Sequence, residues 1–120
     1  MKKELRDVVS YVAGSIISNK KKTSIYSYDN GNYIQFSGQL SAERVNVYDN
    51  QLNNYITGNK SGNTFKLYHH SIGNFIDLTI DGDKFKGYDF SSGQFYNGTV
   101  RGNNINLYDF EDGRYHNYTL

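Results

Sequence analysis

"FKGYDFSSGQFYNGTVRGNN", residues 85–104, reads as one complete structural unit. Tyr88-Asp89 leads into the loop Phe90–Gly93, Gln94-Phe95 leads out of it, and a second turn falls at Gly102-Asn103. A stretch this long holds two short strands and two turns. The spacing predicts that Asp89 pairs with Gln94 and Tyr88 with Phe95 across the first loop. The two-residue Gly-Asn turn then pairs Val100 with Ile105.

The same phrase recurs on both sides. "FKLYHHSIGNFIDLTIDGDK" (65–84) precedes it and "INLYDFEDGRYHNYTL" (105–120) follows. Further upstream stand "IYSYDNGNYIQFSGQLSAER" (25–44) and "VNVYDNQLNNYITGNKSGNT" (45–64). Five rows in fixed register mark one supersecondary unit copied in tandem. In this alignment Tyr28, Tyr48, Tyr68, Tyr88 and Tyr108 share a column. Asp29, Asp49, Asp89 and Asp109 share the next, with His69 as the exception. In the first row Asn30-Gly31 predicts a type I′ turn that pairs Tyr28 with Tyr33 and Asp29 with Asn32. Later rows carry two more loop residues, an insertion that keeps every side chain on its own face. "SGNT" and "DGDK" predict two-residue turns like "RGNN", and the "DGDK" turn joins Ile80 to Phe85.

Parity separates the two faces. Ile25, Ile34, Phe36, Leu40, Val45, Val47, Ile56, Phe65, Leu67, Ile76, Leu78, Ile80, Phe85, Val100, Ile105, Leu107 and Leu120 fall on one side, with Gly38, Gly58, Gly87 and Gly98. The other side takes the tyrosine column, Tyr33, Tyr55, Phe75, Phe95 and Tyr115, and polar residues such as Gln35, Thr57, Asp77, Asn97 and Asn117. That pattern predicts a sheet buried on one side.

The N-terminal segment supplies the cover. Leu5, Val8, Val9, Val12, Ile16 and Ile17 have helical spacing, while Lys3, Arg6, Asp7 and Ser10 fall off the stripe. Gly14 and the β-branched residues lower helix propensity, so tertiary packing must hold this helix. A helix of about 16 residues spans about 24 Å. Ten flat strands would spread nearly 50 Å at about 4.8 Å each. The sheet must therefore curl around the helix or close. The expected fold is mainly β, an up-and-down antiparallel meander of about ten short strands. It forms a closed barrel or strongly curled sheet, closure being preferred, with one N-terminal amphipathic helix packed on its aliphatic face, inside the barrel or across its mouth. One domain covers 1–120, with the helix in 1–20 and five hairpin repeats in 25–120. A closed barrel predicts a monomer, whereas open edges would favour a homodimer by edge pairing.

Composition narrows function mainly by exclusion. Thirteen Lys and Arg balance twelve Asp and Glu, which gives no broad electrostatic case for nucleic acid or an acidic membrane. No cysteine is present, which removes disulfides and thiolate metal sites. Glu4 and Asp7 interrupt what would be a basic leader, so the segment is expected to be a retained helix of a cytoplasmic protein.

The aromatic pairs Tyr28/Tyr33, Tyr48/Tyr55, Tyr68/Phe75, Tyr88/Phe95 and Tyr108/Tyr115 form a belt near one rim, and the last four pairs are the candidate ligand-binding residues. Rings beside Asn and Asp suit a sugar or peptide, because rings stack and amides hydrogen-bond; the same pairs also stabilise a solvent-facing sheet. An Asp before a tight turn caps it with its own carboxylate. Neither "DNGN" nor "DFEDG" matches a calcium loop. His69 and His70 are adjacent and point to opposite faces, and His116 falls on the aliphatic face. Lys20, Lys21 and Lys22 sit at the helix end, where they favour its dipole. No nucleophile motif or phosphate loop stands out, so no catalytic residue, metal or cofactor is expected.

The Tyr88-Asp89, Gly93 and Phe95 phrase resembles the YD repeats of large bacterial toxin shells. The alternation of Gly and Tyr in short hairpins resembles MORN repeats, whose Gly-x-Gly and Trp positions are missing here. Neither resemblance transfers a functional residue. The leading expectation is a non-catalytic binding or scaffold module presenting its aromatic and polar face to a glycan, peptide or protein. The alternative is a carrier of a small apolar ligand inside a ten-stranded barrel.

Overall fold

The computed structural model describes residues 1–120. Helix α1 spans Lys3–Ser18 and is followed by ten strands: β1 Ser24–Ser27, β2 Asn32–Leu40, β3 Arg44–Asp49, β4 Asn54–Ser61, β5 Thr64–His69, β6 Asn74–Asp81, β7 Lys84–Asp89, β8 Gln94–Arg101, β9 Asn104–Asp109 and β10 Arg114–Thr119. Each strand pairs antiparallel with the next, and β1 pairs with β10 to close the barrel.

The helix is enclosed by the barrel and not merely laid on a sheet face. Every residue from Asp7 to Ser15 is buried, and Leu5, Val8, Val9, Val12 and Ala13 are fully so. Helix contacts reach β1, β2, β6, β8 and β9. All the aliphatic-face residues named from parity lie inside or at the interior margin. One consequence departs from expectation. Asp7 and Ser10, off the apolar stripe, are also enclosed, because a closed wall leaves the helix no wet side. The Asp7 carboxylate is satisfied there: the Tyr118 phenol donates to it at 2.7 Å, the Lys3 ammonium at 2.8 Å and the Gln51 amide at 3.2 Å. The helix stops at Asn19, whose left-handed backbone (φ 55) lets Asn19 N–H reach Ile16 O and Lys20 N–H reach Ser15 O. These are the two bonds of a Schellman cap.

Glycines let the parts approach. A Cβ on Gly14 would lie 2.4 Å from the Ile105 side chain, so the residue that weakens helix propensity brings α1 against β9. On the wall, the Tyr96 ring lies across Gly87, its pairing partner, and donates to the Asp77 carbonyl at 2.6 Å.

The first row corrects the expected register. Its turn is not two-residue. Tyr28–Gly31 form a four-residue loop like those of later rows, closed by Gly31 N–H on Ser27 O, so that Ser27 pairs with Asn32 and Tyr26 with Tyr33. Tyr26, not Tyr28, therefore belongs to the tyrosine column, and Ser27, not Asp29, to the aspartate column. "YDNGNY" contains a valid hairpin signal, but closing the barrel to β10 through Tyr26↔Thr119 and Ser27↔Tyr118 favours the other frame.

Three interior phenols, Tyr11, Tyr96 and Tyr118, are held above their ordinary range by burial and give the barrel an alkaline limit. Burial first, then the Asp77 and Asp89 carboxylates, pushes the Tyr96 phenol well up. Burial first, then Asp7, does the same to Tyr118. A phenol in the unfolded chain ionises near pH 10. The folded state holds its protons beyond that, so this stability is complete below about pH 10 and is lost as pH rises above it, by up to about 1.4 kcal/mol per unit for each phenol. Denaturant midpoints measured from about pH 8 to 11.5 should fall along that limb. Tyr118→Phe should lower the slope by roughly a third to a half. A slope unchanged in that variant would remove Tyr118 from the account.

Candidate functional site

The chemistry concentrates at the rim that receives the helix N-terminus. There the loops Tyr28–Gly31, Asn50–Asn53, His70–Gly73, Phe90–Gly93 and Phe110–Gly113 close the hairpins. Each loop ends in a left-handed residue: Gly31, Asn53, Gly73, Gly93 or Gly113. Just inside stand Ser27, Asp49, His69, Asp89 and Asp109, all buried. The expected caps are present. Asp49, Asp89 and Asp109 accept the N–H two residues on, from Gln51, Ser91 and Glu111, at 2.9–3.0 Å.

The second oxygen of each carboxylate finds its own partner. Asp49 faces His69 Nε2 at 3.1 Å, and Asp89 accepts the Ser92 hydroxyl at 2.9 Å. Asp109 faces Arg6 and the Met1 ammonium, each at 3.4 Å. Because Ser71 N–H donates to His69 Nδ1, Nε2 carries the proton shared with Asp49. His69 thus substitutes for the aspartate of other rows by becoming the donor to the preceding row's carboxylate. His70 points outward and bonds Thr57, as parity predicts.

His116 lies on the interior face and bridges the Asp29 and Asp112 carboxylates. Partial burial pushes the Asp112 carboxyl up, but hydrogen bonds from His116 and the Arg114 N–H outweigh it and hold the group below its ordinary range. Ligand-type atoms of Asp109, Asp112 and His116 lie within 4.8 Å of one another. Protein groups already use them: Asp109 meets two cations, and both His116 nitrogens are engaged.

Outside this rim runs the aromatic band. The candidate pairs Tyr48/Tyr55, Tyr68/Phe75, Tyr88/Phe95 and Tyr108/Tyr115 are cross-strand partners with ring centroids 4.8–5.1 Å apart. The column tyrosines are half-buried. The Tyr88 hydroxyl end covers its own loop, 3.7 Å from where a Cβ on Gly93 would stand, and Tyr26, Tyr68 and Tyr108 do likewise. Their partners are open. All eight large apolar side chains exposed on the surface (Tyr28, Tyr33, Tyr55, Phe75, Phe90, Phe95, Phe110 and Tyr115, 44–64 % exposed) belong to this one band.

Five of its rings were not among the candidate binding residues: Tyr26, Tyr28, Tyr33, Phe90 and Phe110. Tyr28, Phe90 and Phe110 open their loops and stack edge-on against the column tyrosines Tyr26, Tyr88 and Tyr108 at 4.8–5.1 Å. The signal that could have found them is the aromatic residue two places after the column tyrosine, once the first row is shifted by two.

The chain matches no family model, and no curated protein or solved structure is significantly similar to it. No helix is long and apolar enough to cross a membrane.

Next to Tyr28 the outer wall holds a groove of about 310 Å³, bordered by Thr99, Arg101, Asn104, Asn106 and Asn117. Its polar groups are already ordered: Asn106 donates to Asn117 at 2.7 Å, Tyr28 and Thr119 hydroxyls meet at 3.2 Å, and Thr119 donates to Asn104 at 3.1 Å.

Proposed function

We propose that the chain is a non-catalytic binding module whose outer aromatic band and adjoining groove take a glycan. The observation that carries this reading is the confinement of every large exposed apolar side chain to one band. An exposed apolar patch framed by polar groups is the surface signature of recognition. The groove beside Tyr28 favours a sugar over other partners. A ring can carry the C–H face of a pyranose, while the amides and guanidinium that border the same groove can bond its hydroxyls. The filled interior favours this module over the apolar carrier, since α1 stands where such a ligand would lie.

The test is calorimetric titration with neutral cellohexaose, xylohexaose and chitohexaose. At least one sugar should bind. Tyr28→Ala should weaken it about tenfold, while moving the melting temperature by only a few degrees, because Tyr28 is an exposed loop ring whose edge-on contact with Tyr26 contributes at most about 1 kcal/mol. Failure of all three sugars, or equal binding by the variant, would overturn the glycan assignment.

A further inference from the structure

The opposite rim, at the helix C-terminus, holds a gap in the wall. β1 has four residues where β2 has nine. Their pairing ends at Ser24↔Gln35, with one further bond from Phe36 N–H to Thr23 O at 2.8 Å. Beyond that point the chain turns away toward α1, and residues 37–40 of β2 have no strand on that side. Their hydrogen-bonding direction follows from the hairpin. Ser41 N–H donates to Arg44 O, and Asn50 N–H donates to Gln35 O, so odd-numbered residues of β2 face β3. In an antiparallel ladder the alternate residues face away. Gly38 and Leu40 therefore present N–H and C=O to an empty edge. Gly38 is solvent-exposed although its parity is interior.

A cleft of about 610 Å³ lies against this edge. Lys20, Lys21, Lys22 and Arg44 line it, no acidic residue does, and none of the four forms an ion pair. Ser15, only 5 % exposed, also borders it. Tyr11, Ile16 and Leu40 supply an apolar floor.

We propose that this edge binds an acidic peptide in extended conformation, added beside β2 as a further strand. Free main-chain groups two residues apart are what an incoming strand pairs with, and a small anion would leave them unmet. The unopposed cations supply the charge complementarity. The same cations repel a second copy of this edge, which excludes self-pairing as the use of the gap. This site is separate from the aromatic band, so its fate does not depend on the glycan assignment.

The experiment uses the full chain and the probe acetyl-(Glu-Val)₃-amide, read by amide chemical shifts and fluorescence anisotropy. Its controls are the (Lys-Val)₃ peptide, an N-methylated (Glu-Val)₃ peptide that cannot pair as a strand, inorganic phosphate, and phosphatidylserine vesicles. The acidic peptide should bind and shift the Gly38 and Leu40 amides. The lysine and N-methylated peptides should not bind. The exposed double substitution Lys21→Glu, Lys22→Glu should weaken binding about tenfold with the fold retained. No binding at about 1 mM, equal binding of the N-methylated peptide, shifts confined to the aromatic band, or preference for phosphate or vesicles would each overturn the proposal.

Discussion

A chain lacking residues 1–20 should lose its cooperative thermal transition and its near-ultraviolet circular dichroism, and should aggregate. Leu5, Val8, Val9 and Val12 are each fully enclosed by the barrel. At about 1.5–3 kcal/mol for each such side chain, they contribute roughly 6–12 kcal/mol of gross stabilisation. The net stability of a domain is about 5–15 kcal/mol. The truncation also removes Tyr11, stacked on Phe36 at 4.6 Å, and takes from Tyr118 the carboxylate its phenol donates to. Val12→Asp offers a milder version, since it places an unpaired charge where no water reaches. It should unfold the protein at neutral pH. A truncated chain that melted sharply would mean that the strands stand without the helix. The emptied interior would then return the apolar carrier to first place.

Gly87→Ala should cost about 3 kcal/mol or more and lower the melting temperature by roughly 10 °C. Gly87 does not have positive φ, so space is the issue. A Cβ there would lie 1.8 Å from the Asp77 carbonyl oxygen and 2.4 Å from the Tyr96 hydroxyl. The first atom is backbone and cannot move without opening the β6–β7 ladder. The second would give up its hydrogen bond to Asp77. Gly82→Ala is the matched control. Gly82 has φ +62 and nothing within 4 Å of the added atom, so only backbone strain applies, about 1 kcal/mol. Scanning calorimetry of the two variants separates the effects. Equal losses would mean that the Tyr96–Gly87 interlock contributes nothing.

The faces of the barrel were legible from the sequence because alternation along a strand is a local property. Val45, Val47, Phe65, Leu67, Ile76, Leu78, Phe85, Ile105 and Leu107 point inward for the same reason that their neighbours point outward. The aromatic pairs of rows two to five were legible too, because loop length fixes hairpin register. The first row was not. Asn30-Gly31 and the four-residue loop are both locally acceptable, and the choice rests on β10, about ninety residues away, as well as on Gly31 as the left-handed end of its loop. With that frame misplaced by two, Tyr26 and Ser27 fell out of their columns, and the loop aromatics Tyr28, Phe90 and Phe110 were not seen as a set.

The sequence by itself determined the repeat, the inward and outward sets and the need for a cover, since each follows from periodicity within a few residues. Only the tertiary structure decided that the cover is swallowed by the barrel. It alone decided that Asp7, Asp49 and Asp109 are buried against Tyr118, His69 and Arg6, and that β1 stops short and leaves β2 an open edge. Those outcomes depend on which distant groups share a small dry volume. Burial makes each charge take the partner that closure brings within reach, and spacing along the chain does not encode that partner.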